Sequence, residues 1–448
     1  MDGVIRYGLV FWLGLAFSLS SAVFARDKVI SLTEPEFELV TDGVFEQDLD
    51  FNNLPGHKVF DMTYWGSSPR AEIRYNGASL FKTSGQQAQQ QVQVRLGQEA
   101  KTLTFNLQVQ PARYEQDYIE AHKNKVSVQV PEVYELNHIL LLLSDVYHHS
   151  EHRMHRNGQY YEEVIRWFSP YRQHKIFKQL GEVDYYAFIE NAAAYAFDGS
   201  SIKKTGPYTG FRAKNTLGEH LALLEDFAKQ SQFRRFYREH RHYYSELIDN
   251  FLKSVQPKQV WHWLELHFPQ RHQSYKVFFS PLARGSHSAR KYRTGNFNEA
   301  VIFISGPNRY DGEDEQASLA SMKLSRSFFT EVDHTYVNPV SDLYLEQINE
   351  ALAHLSPWYQ GGGYNSPYLV FNEYMTWAVF SLFAQEHFSA SDYRLIKSHI
   401  EIFMVQKRGF YRFKAFNDAL IALYKDKGGK EKVSDLYPQI IHWVKHHS

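Results

Sequence analysis

A short segment in the last third of the chain has residue types and spacing that suit metal-assisted hydrolysis. Glu331 and His334 lie three residues apart, so on a helix both side chains can reach one point in space. In an H-E-x-x-H helix two histidines bind zinc, and the glutamate after the first histidine activates water. Here the pentapeptide is T-E-V-D-H, and Thr330 stands where the first histidine would be. The segment predicts a catalytic Glu331 and a metal ligand in His334, with one ligand position changed.

A second acidic residue belongs to the same predicted site. Residues 368–384 are apolar almost all round, which predicts a buried helix, and Glu373 is the charged residue within that run. A buried carboxylate costs several kcal/mol unless it pairs with a cation, binds a metal or stays protonated. In peptidases of the gluzincin type a glutamate on a second helix is the third zinc ligand. Glu373 follows His334 by 39 residues (373 − 334), enough for a connecting helix, so we predict that it is a ligand.

Three arrangements could complete the metal site. Asp333 is adjacent to His334 and could supply an oxygen ligand. Glu331, His334 and Glu373 could instead form a carboxylate-rich site of the kind that iron or manganese prefers. His287, in a polar loop, could swing in as a further ligand or as a donor to the transition state. Zinc is the expected metal, with another divalent ion as the alternative.

The remaining polar residues near the motif suggest roles in substrate binding. Tyr336, Tyr364 and His287 could each donate a hydrogen bond to an oxyanion. Two alternatives need no metal. The acidic residues and His334 could form a buried hydrogen-bonded network, or Glu331 and Glu373 could act as the carboxylate pair of a glycan hydrolase.

The elements that must position these residues follow a β-then-α order. Residues 58–60, 71–75, 91–96 and 102–109 are short strand-like runs separated by Gly, Asn and Pro, and Gly97 with Gln98 predicts a hairpin. This pattern is typical of a small β-sandwich over residues 26–130. From Pro131 the apolar period is helical, except for strand-like residues 277–279 and 301–304, which flank a polar loop. The expected fold is α+β: a small sandwich-like domain, then a mostly helical zincin-like domain with a short edge sheet.

Residues 131–448 resemble the exported bacterial proteins of domain-of-unknown-function family 4932. The matching stretches are P-E-V-Y-E-L (131–136), W-F-S-P-Y (167–171), S-P-L (280–282), G-S-H (285–287), H-T-Y-V-N-P (334–339), N-E (372–373) and R-G-F (408–410). The resemblance implies a gluzincin-like peptidase domain, with Glu331 as the general base and His334 and Glu373 as zinc ligands. It also implies an edge strand that pairs with an extended peptide or protein substrate. Thr330 departs from the family pattern at a ligand.

The N-terminus predicts export. Arg6 precedes the apolar residues 7–17, and small residues follow up to Ala25, which is the pattern of a cleaved signal peptide over residues 1–25. Cleavage after Ala25 is the first expectation and cleavage after Ala22 the second; a retained membrane anchor is the alternative. The chain has no cysteine, so neither a lipoprotein anchor nor a disulfide is expected. We predict a periplasmic protein without a stable membrane anchor.

Charge and motif together define the functional prediction. The 49 Lys and Arg residues balance 50 Asp and Glu residues, which argues against a nucleic-acid partner. The predicted function is an exported metal-dependent hydrolase that acts on peptide bonds. The alternative is a catalytically inactive, peptidase-like binding protein, which the substitution at Thr330 favours. The sequence predicts no oligomeric state.

Overall fold

This computed structural model describes the strands within residues 30–111 and most of residues 114–447. It leaves undescribed residues 1–29, 33–36, 42–43, 46–55, 67–70, 76–77, 84–86, 97–98, 112–113, 115, 148–149, 151, 184, 206–216, 286, 295, 311–316, 427–430 and 448. The predicted signal peptide, residues 1–25, therefore lies outside the described residues. The described part is a mixed α+β protein with small sheets, as the sequence predicts.

The N-terminal part forms two sheets. Its strands are β1 (Ile30–Leu32), β2 (Phe37–Thr41), β3 (Val44–Phe45), β4 (His57–Gly66), β5 (Ala71–Tyr75), β6 (Ala78–Thr83), β7 (Gln87–Leu96) and β8 (Glu99–Pro111). One sheet has the order β1-β7-β8-β4-β3 and the other β2-β5-β6. β7 and β8 are antiparallel and pair Leu96 with Glu99, which confirms the predicted hairpin. The sandwich-like packing of these sheets, and the domain limits, stay predictions.

The remainder of the chain is rich in helices. They are α1 (Gln116–His122), α2 (Glu132–Leu143), α3 (Gln159–Phe168), α4 (Ile176–Gln179), α5 (Tyr185–Asn191), α6 (Leu221–Gln230), α7 (Phe233–Glu239), α8 (Arg241–Val255), α9 (Pro257–His267), α10 (Ala317–Ser341), α11 (Leu345–Ala351), α12 (Pro367–His387), α13 (Ala390–Gln406), α14 (Phe413–Asp426) and α15 (Tyr437–His446). The strands are β9 (Lys125–Gln129), β10 (Tyr195–Asp198), β11 (Ser201–Lys204), β12 (Ser274–Ser280), β13 (Ser288–Thr294) and β14 (Phe297–Ser305). β10 and β11 form a small hairpin.

The sheet of this part has four strands in the order β13-β14-β12-β9. β12 is buried along its whole length, and β9 and β14 both run parallel to it, which is usual for strands covered on both faces. The predicted strands 277–279 and 301–304 are confirmed as parts of β12 and β14. The polar segment between them is more than a loop, because it contains β13, antiparallel to β14. β9 lies before Pro131, where the helical period of the sequence begins, and yet it joins this sheet.

Two long helices, α10 and α12, pack against each other, and α10 also packs against this sheet. α10 spans 25 residues and contains Pro339 near its end. The helix continues to Ser341 because a proline so close to its end removes only one late hydrogen bond. α12 begins at Pro367, where the Ser366 side chain accepts from the backbone N–H of Leu369 at 3.3 Å. Its residues from 370 to 384 are buried, Glu373 included, which confirms the predicted buried helix.

Within the residues that the structure describes, none of the helices combines the length and hydropathy that a bilayer crossing requires. α10 and α12 contain many apolar residues, but each is interrupted by buried polar side chains on the faces that meet. Burial in this fold therefore places polar groups between the two helices, and those groups form the candidate site.

Candidate functional site

One side of α10 carries the central histidine of the site. The Nε2 atom of His334 lies 3.4 Å from Oε1 of Glu373 on α12. Its other nitrogen, Nδ1, lies 3.3 Å from Oδ1 of Asn338 and 3.5 Å from the hydroxyl of Thr376. Asn338 is one turn further along the same helix, so the spacing of four residues holds the ring in one orientation. The structure thus brings together the predicted pair His334 and Glu373 from helices that are distant in sequence.

The buried acid Glu373 has a cation as its second partner. Nη1 of Arg408 donates to Oε2 of Glu373 at 2.7 Å, and Nη2 of the same guanidinium donates to the hydroxyl of Tyr364. Arg408 lies between α13 and α14 and its guanidinium also covers the ring of Trp377, 5.1 Å from the ring centre. The next residue, Gly409, has φ +76°, and a Cβ there would lie 2.4 Å from the carbonyl oxygen of Gln360. Only glycine therefore allows the turn that presents Arg408.

The charges of these groups stabilise one another. Burial alone would raise the pKa of Glu373, but Arg408 and His334 outweigh burial and lower it to about 2. Burial likewise opposes the protonation of His334, but its hydrogen bond to Glu373 and the nearby carboxylates raise the pKa of the imidazole. Glu373 is consequently an ionised carboxylate held between an arginine and a histidine.

Glu331 has a different environment one helical turn away from His334. It accepts no hydrogen bond from any described residue, and Nδ1 of His287 lies 4.0 Å from its Oε1. Burial, with a contribution from the charge of Glu373, raises the pKa of Glu331 to about 7, although His334 and Arg408 act in the opposite direction. A carboxyl group with this pKa suits proton transfer near neutral pH. We call Glu331, His334, Glu373, Arg408 and His287 the Glu331 cluster.

His287 reaches this cluster from the sheet. It directly precedes β13, and its Nε2 lies 2.8 Å from the hydroxyl of Ser305 at the end of β14. Burial first, and then the positive charges of Arg326 and Arg309, lower the pKa of His287 to about 3. The ring is therefore neutral, and its contact with Glu331 is not an ion pair. A neutral imidazole beside a carboxyl group can exchange a proton or hydrogen-bond to a bound ligand.

Two residues that the sequence analysis assigned to the site point elsewhere. The hydroxyl of Tyr336 is hydrogen-bonded to that of Tyr275, against the sheet. Asp333 is fully buried, and neither of its oxygens has a side-chain hydrogen-bond partner among the described residues. Burial, followed by the charges of Glu331 and Glu373, raises the pKa of Asp333 well above its usual range. Tyr364, by contrast, does join the cluster through Arg408.

The substituted position, Thr330, faces its own helix. Its hydroxyl donates to the carbonyl oxygen of Arg326 at 3.0 Å, and the residue is 4% exposed. A threonine that bonds back to residue i−4 in this way does not offer its oxygen to a ligand. Arg326 itself, which the sequence analysis did not assign, lies 4.5 Å from the ring centre of Trp377, the same ring that Arg408 covers. Its Nε has no hydrogen-bond partner within the described part of the chain.

The arginines were missed for a physical reason. Arg408 stands in the R-G-F stretch of the family resemblance, but spacing alone assigns it no partner. The requirement that a buried Glu373 find a cation was the signal that could have identified it. Arg326 left a weaker signal, as an arginine one turn before Thr330 on an apolar helix.

The arrangement provides part of a zinc site. Nε2 of His334 and Oε1 of Glu373 converge, as two ligands of one metal would. A protein zinc site takes at least three such ligands, and no group of three His, Cys, Asp or Glu side chains within the described residues has the required geometry. Thr330 supplies no third ligand, and the guanidinium of Arg408 both occupies Oε2 of Glu373 and repels a cation. The described residues therefore do not fit the predicted three-ligand zinc site.

Comparison with known proteins adds no relative. No family model, no curated protein and no solved structure matches this chain. The resemblance to domain-of-unknown-function family 4932 therefore stays a prediction. Functional inference rests on the geometry of the Glu331 cluster and on the surfaces around it.

Proposed function

We propose that this protein is an exported, peptidase-like binding protein that holds an extended peptide at the Glu331 cluster without metal-dependent hydrolysis. The observation that carries the proposal is the 2.7 Å ion pair between Arg408 and Glu373. This pair gives the buried acid a cation from the chain itself, at the position where a gluzincin glutamate would bind zinc. Thr330 removes a second ligand position. The cluster retains polar groups for binding a ligand while its metal-binding set is incomplete.

The edge of the C-terminal sheet supports a peptide as the ligand. β13 is the outer strand of the order β13-β14-β12-β9, and among the described strands it hydrogen-bonds to β14 alone. An extended peptide can add to such an edge through main-chain hydrogen bonds. β4 approaches β13 without pairing with it, so a peptide there would lie next to the N-terminal sheet. Because His287 directly precedes β13, the added strand would pass beside Glu331.

A second function has a specific observation in its favour. His334 and Glu373 converge to 3.4 Å in the manner of two metal ligands, and Glu331 holds the general-base position of the predicted motif. A metal-dependent hydrolase, with zinc or another divalent ion, is the alternative proposal. In that case His334 and Glu373 would hold the ion, which would polarise the substrate carbonyl. A ligand from outside the described residues would have to complete the set.

Peptide binding and cleavage distinguish the two proposals. Mature protein, purified without a metal-binding tag, is tested with a library of short peptides that carry a fluorophore and a quencher. We expect saturable binding by fluorescence anisotropy, no increase in fluorescence from cleavage, and the same result with and without a chelator. Cleavage that the chelator abolishes would overturn the binding-protein proposal and support the hydrolase. Failure to bind and failure to cleave would overturn both.

Restoring the missing ligand gives a sharper comparison. Thr330→His places an imidazole four residues before His334, and we expect this variant to bind one equivalent of zinc by elemental analysis. Thr330→Val has nearly the same volume as the threonine and supplies no ligand, so it serves as the matched control. Equal zinc content in wild type, Thr330→His and Thr330→Val would show that position 330 does not determine metal binding.

Export is proposed from the N-terminal sequence. The apolar h-region and the small residues that end at Ala25 support cleavage before Arg26, or before Val23. Mass spectrometry of the periplasmic fraction is expected to find one of these mature N-termini. Full-length protein with Met1 in the membrane fraction would instead support a retained anchor.

A further inference from the structure

A second pocket lies away from the residues of the Glu331 cluster. It has a volume of about 300 Å³ and is bounded by the start of α3, the junction of α7 and α8, and the 3-10 turn Pro307–Tyr310. Its walls combine two tyrosine rings with a carboxylate, two imidazoles and side-chain amides. Small-molecule sites commonly start at this volume and pair apolar or aromatic walls with a few fixed polar groups.

The aromatic wall is rigid. The rings of Tyr160 and Tyr243 are stacked, with centroids 5.2 Å apart and an interplanar angle of 28°. The Tyr160 hydroxyl donates to Oε1 of Glu135 at 2.7 Å and lies 2.7 Å from the Tyr244 hydroxyl, so its ring cannot turn away. The C–H groups of a sugar ring are slightly positive and apolar, and they pack well on the negative face of an aromatic ring.

A carboxylate and an imidazole are paired in the pocket. Oε2 of Glu163 lies 2.7 Å from Nε2 of His240, whose other ring nitrogen is 2.8 Å from the carbonyl oxygen of Phe236. An anionic ligand would meet the carboxylate, and a cationic ligand would have to displace the imidazole to reach it. The pair therefore disfavours charged ligands of either sign. Each oxygen of Glu163 already has one hydrogen-bond partner, since Oε1 accepts from Nε2 of Gln159 at 2.7 Å and Oε2 lies beside His240, but a second lone pair on each can accept from a hydroxyl group.

One amide of the pocket wall is fixed by a hydrogen bond. Asn308 lines the pocket and is 5% exposed. Its Nδ2 donates to the carbonyl oxygen of Pro281 at 2.8 Å, whereas Oδ1 has no partner among the described residues. Because Oδ1 is buried from water, a ligand in the pocket does not reach it, and this amide shapes the wall without offering an acceptor.

We propose that this pocket binds a neutral sugar residue, with one ring face on the tyrosine wall and its hydroxyl groups on Glu163. The volume admits one sugar unit or a little more, so the ligand is a free sugar or the end of a glycan. This inference is independent of the peptide-binding proposal, since it uses none of the residues of the Glu331 cluster.

The test uses one sugar ring in three charge states. N-acetylglucosamine is neutral, glucosamine carries an ammonium group and glucuronate carries a carboxylate. Saturation-transfer difference NMR and calorimetric titration with mature wild-type protein should show binding of N-acetylglucosamine and at least about tenfold weaker binding of the two charged rings, which corresponds to about 1.4 kcal/mol.

Substitutions of pocket residues test whether the sugar binds in this pocket. Tyr243→Ala removes half of the aromatic wall, and Glu163→Gln removes the carboxylate while keeping its shape. Each should weaken binding of N-acetylglucosamine by about tenfold or more, whereas Glu162→Gln, an exposed neighbour on the same helix, should not. Circular dichroism checks that each variant is folded. If Tyr243→Ala does not fold, Glu163→Gln still tests the proposal.

Three results would overturn the proposal. Wild-type protein could bind none of the three rings, or it could bind glucosamine or glucuronate as tightly as the neutral ring. Binding could also be unaffected by both Tyr243→Ala and Glu163→Gln, which would place it elsewhere. None of these results would alter the outcome of the peptide experiments.

Discussion

Two buried acids, Glu190 and Glu331, lie on opposite sides of the start of β13 and differ in how many hydrogen bonds they accept. Glu190 on α5 is completely buried and accepts hydrogen bonds from Ser288 at 2.6 Å and from two nitrogens of Arg290 at 2.8 and 2.9 Å. Glu331 on α10 is also largely buried, but it accepts none from the described residues and meets His287 at 4.0 Å. His287 and Ser288 are consecutive, and adjacent residues of an extended segment point to opposite sides.

This difference in hydrogen bonding distinguishes an acid that stabilises the fold from an acid that is available to a ligand. The carboxylate of Glu190 is fully used, with a two-pronged arginine contact that fixes α5 to the sheet. Glu331 keeps unused hydrogen-bonding capacity beside a neutral histidine, which is costly for the fold and useful for a ligand. Glu373 is intermediate, because Arg408 holds one oxygen and His334 approaches the other.

The largest effect is expected on breaking the Glu190 pair. Arg290→Ala leaves Glu190 buried without its cation, so we expect a loss of about 3–5 kcal/mol in the free energy of unfolding, measured by urea titration. The double change Glu190→Ala with Arg290→Ala should recover part of this loss because no lone charge remains. Lys291→Ala, exposed on the same strand, is the control. A loss below about 1 kcal/mol for Arg290→Ala would contradict a structural role for the pair.

The next effect concerns Glu373. Its pKa falls from 4.5 to about 2 on folding, so its charge stabilises the fold above pH 4.5, and this contribution is lost as the pH falls towards 2. Glu373→Gln should therefore lower the free energy of unfolding by up to about 3 kcal/mol at pH 7, and by progressively less below pH 4.5. Unfolding titrations at several pH values measure this. An equal loss at every pH would attribute the effect to packing and not to charge.

The same substitution at Glu331, to Gln, should change the free energy of unfolding in the opposite direction. The pKa of Glu331 rises from 4.5 to about 7 on folding, so the wild type has its full stability below pH 4.5 and loses some as the pH rises to 7. Because the side chain is partly exposed, we expect Glu331→Gln to stabilise the protein by about 2 kcal/mol at pH 8 and to have little effect at pH 4. A destabilised variant at pH 8 would mean that the charge of Glu331 has a stabilising partner.

The smallest expected effect is that of a chelator on the wild type. If Arg408 is the partner of Glu373, a chelator should leave the melting temperature unchanged, and added zinc should raise it only slightly. Differential scanning fluorimetry with chelator, and then with excess zinc, measures both. A clear drop with chelator would show that a metal contributes to stability and would favour the hydrolase.

Much of the local structure could be predicted from the sequence. The apolar run 368–384 required a buried helix, and the alternation around residues 91–109 required a hairpin, because both periods are properties of a few neighbouring residues. Helical spacing also placed Glu331 and His334 on one side of α10. The same spacing could have excluded Tyr336, which lies two residues after His334 and so points to the other side of the helix.

The sequence by itself determined that Glu373 would be buried and would need a partner, since an acid on an apolar helix has no access to water. The tertiary structure decided that the partner is Arg408, 35 residues later, and that the start of α3 and the junction of α7 and α8 meet around a pocket. Local periodicity fixes which residues share a face, because the helical and extended repeats are set by backbone geometry. Which charged side chains meet depends on how elements that are far apart in the sequence pack together, and residue spacing along the chain does not determine that packing.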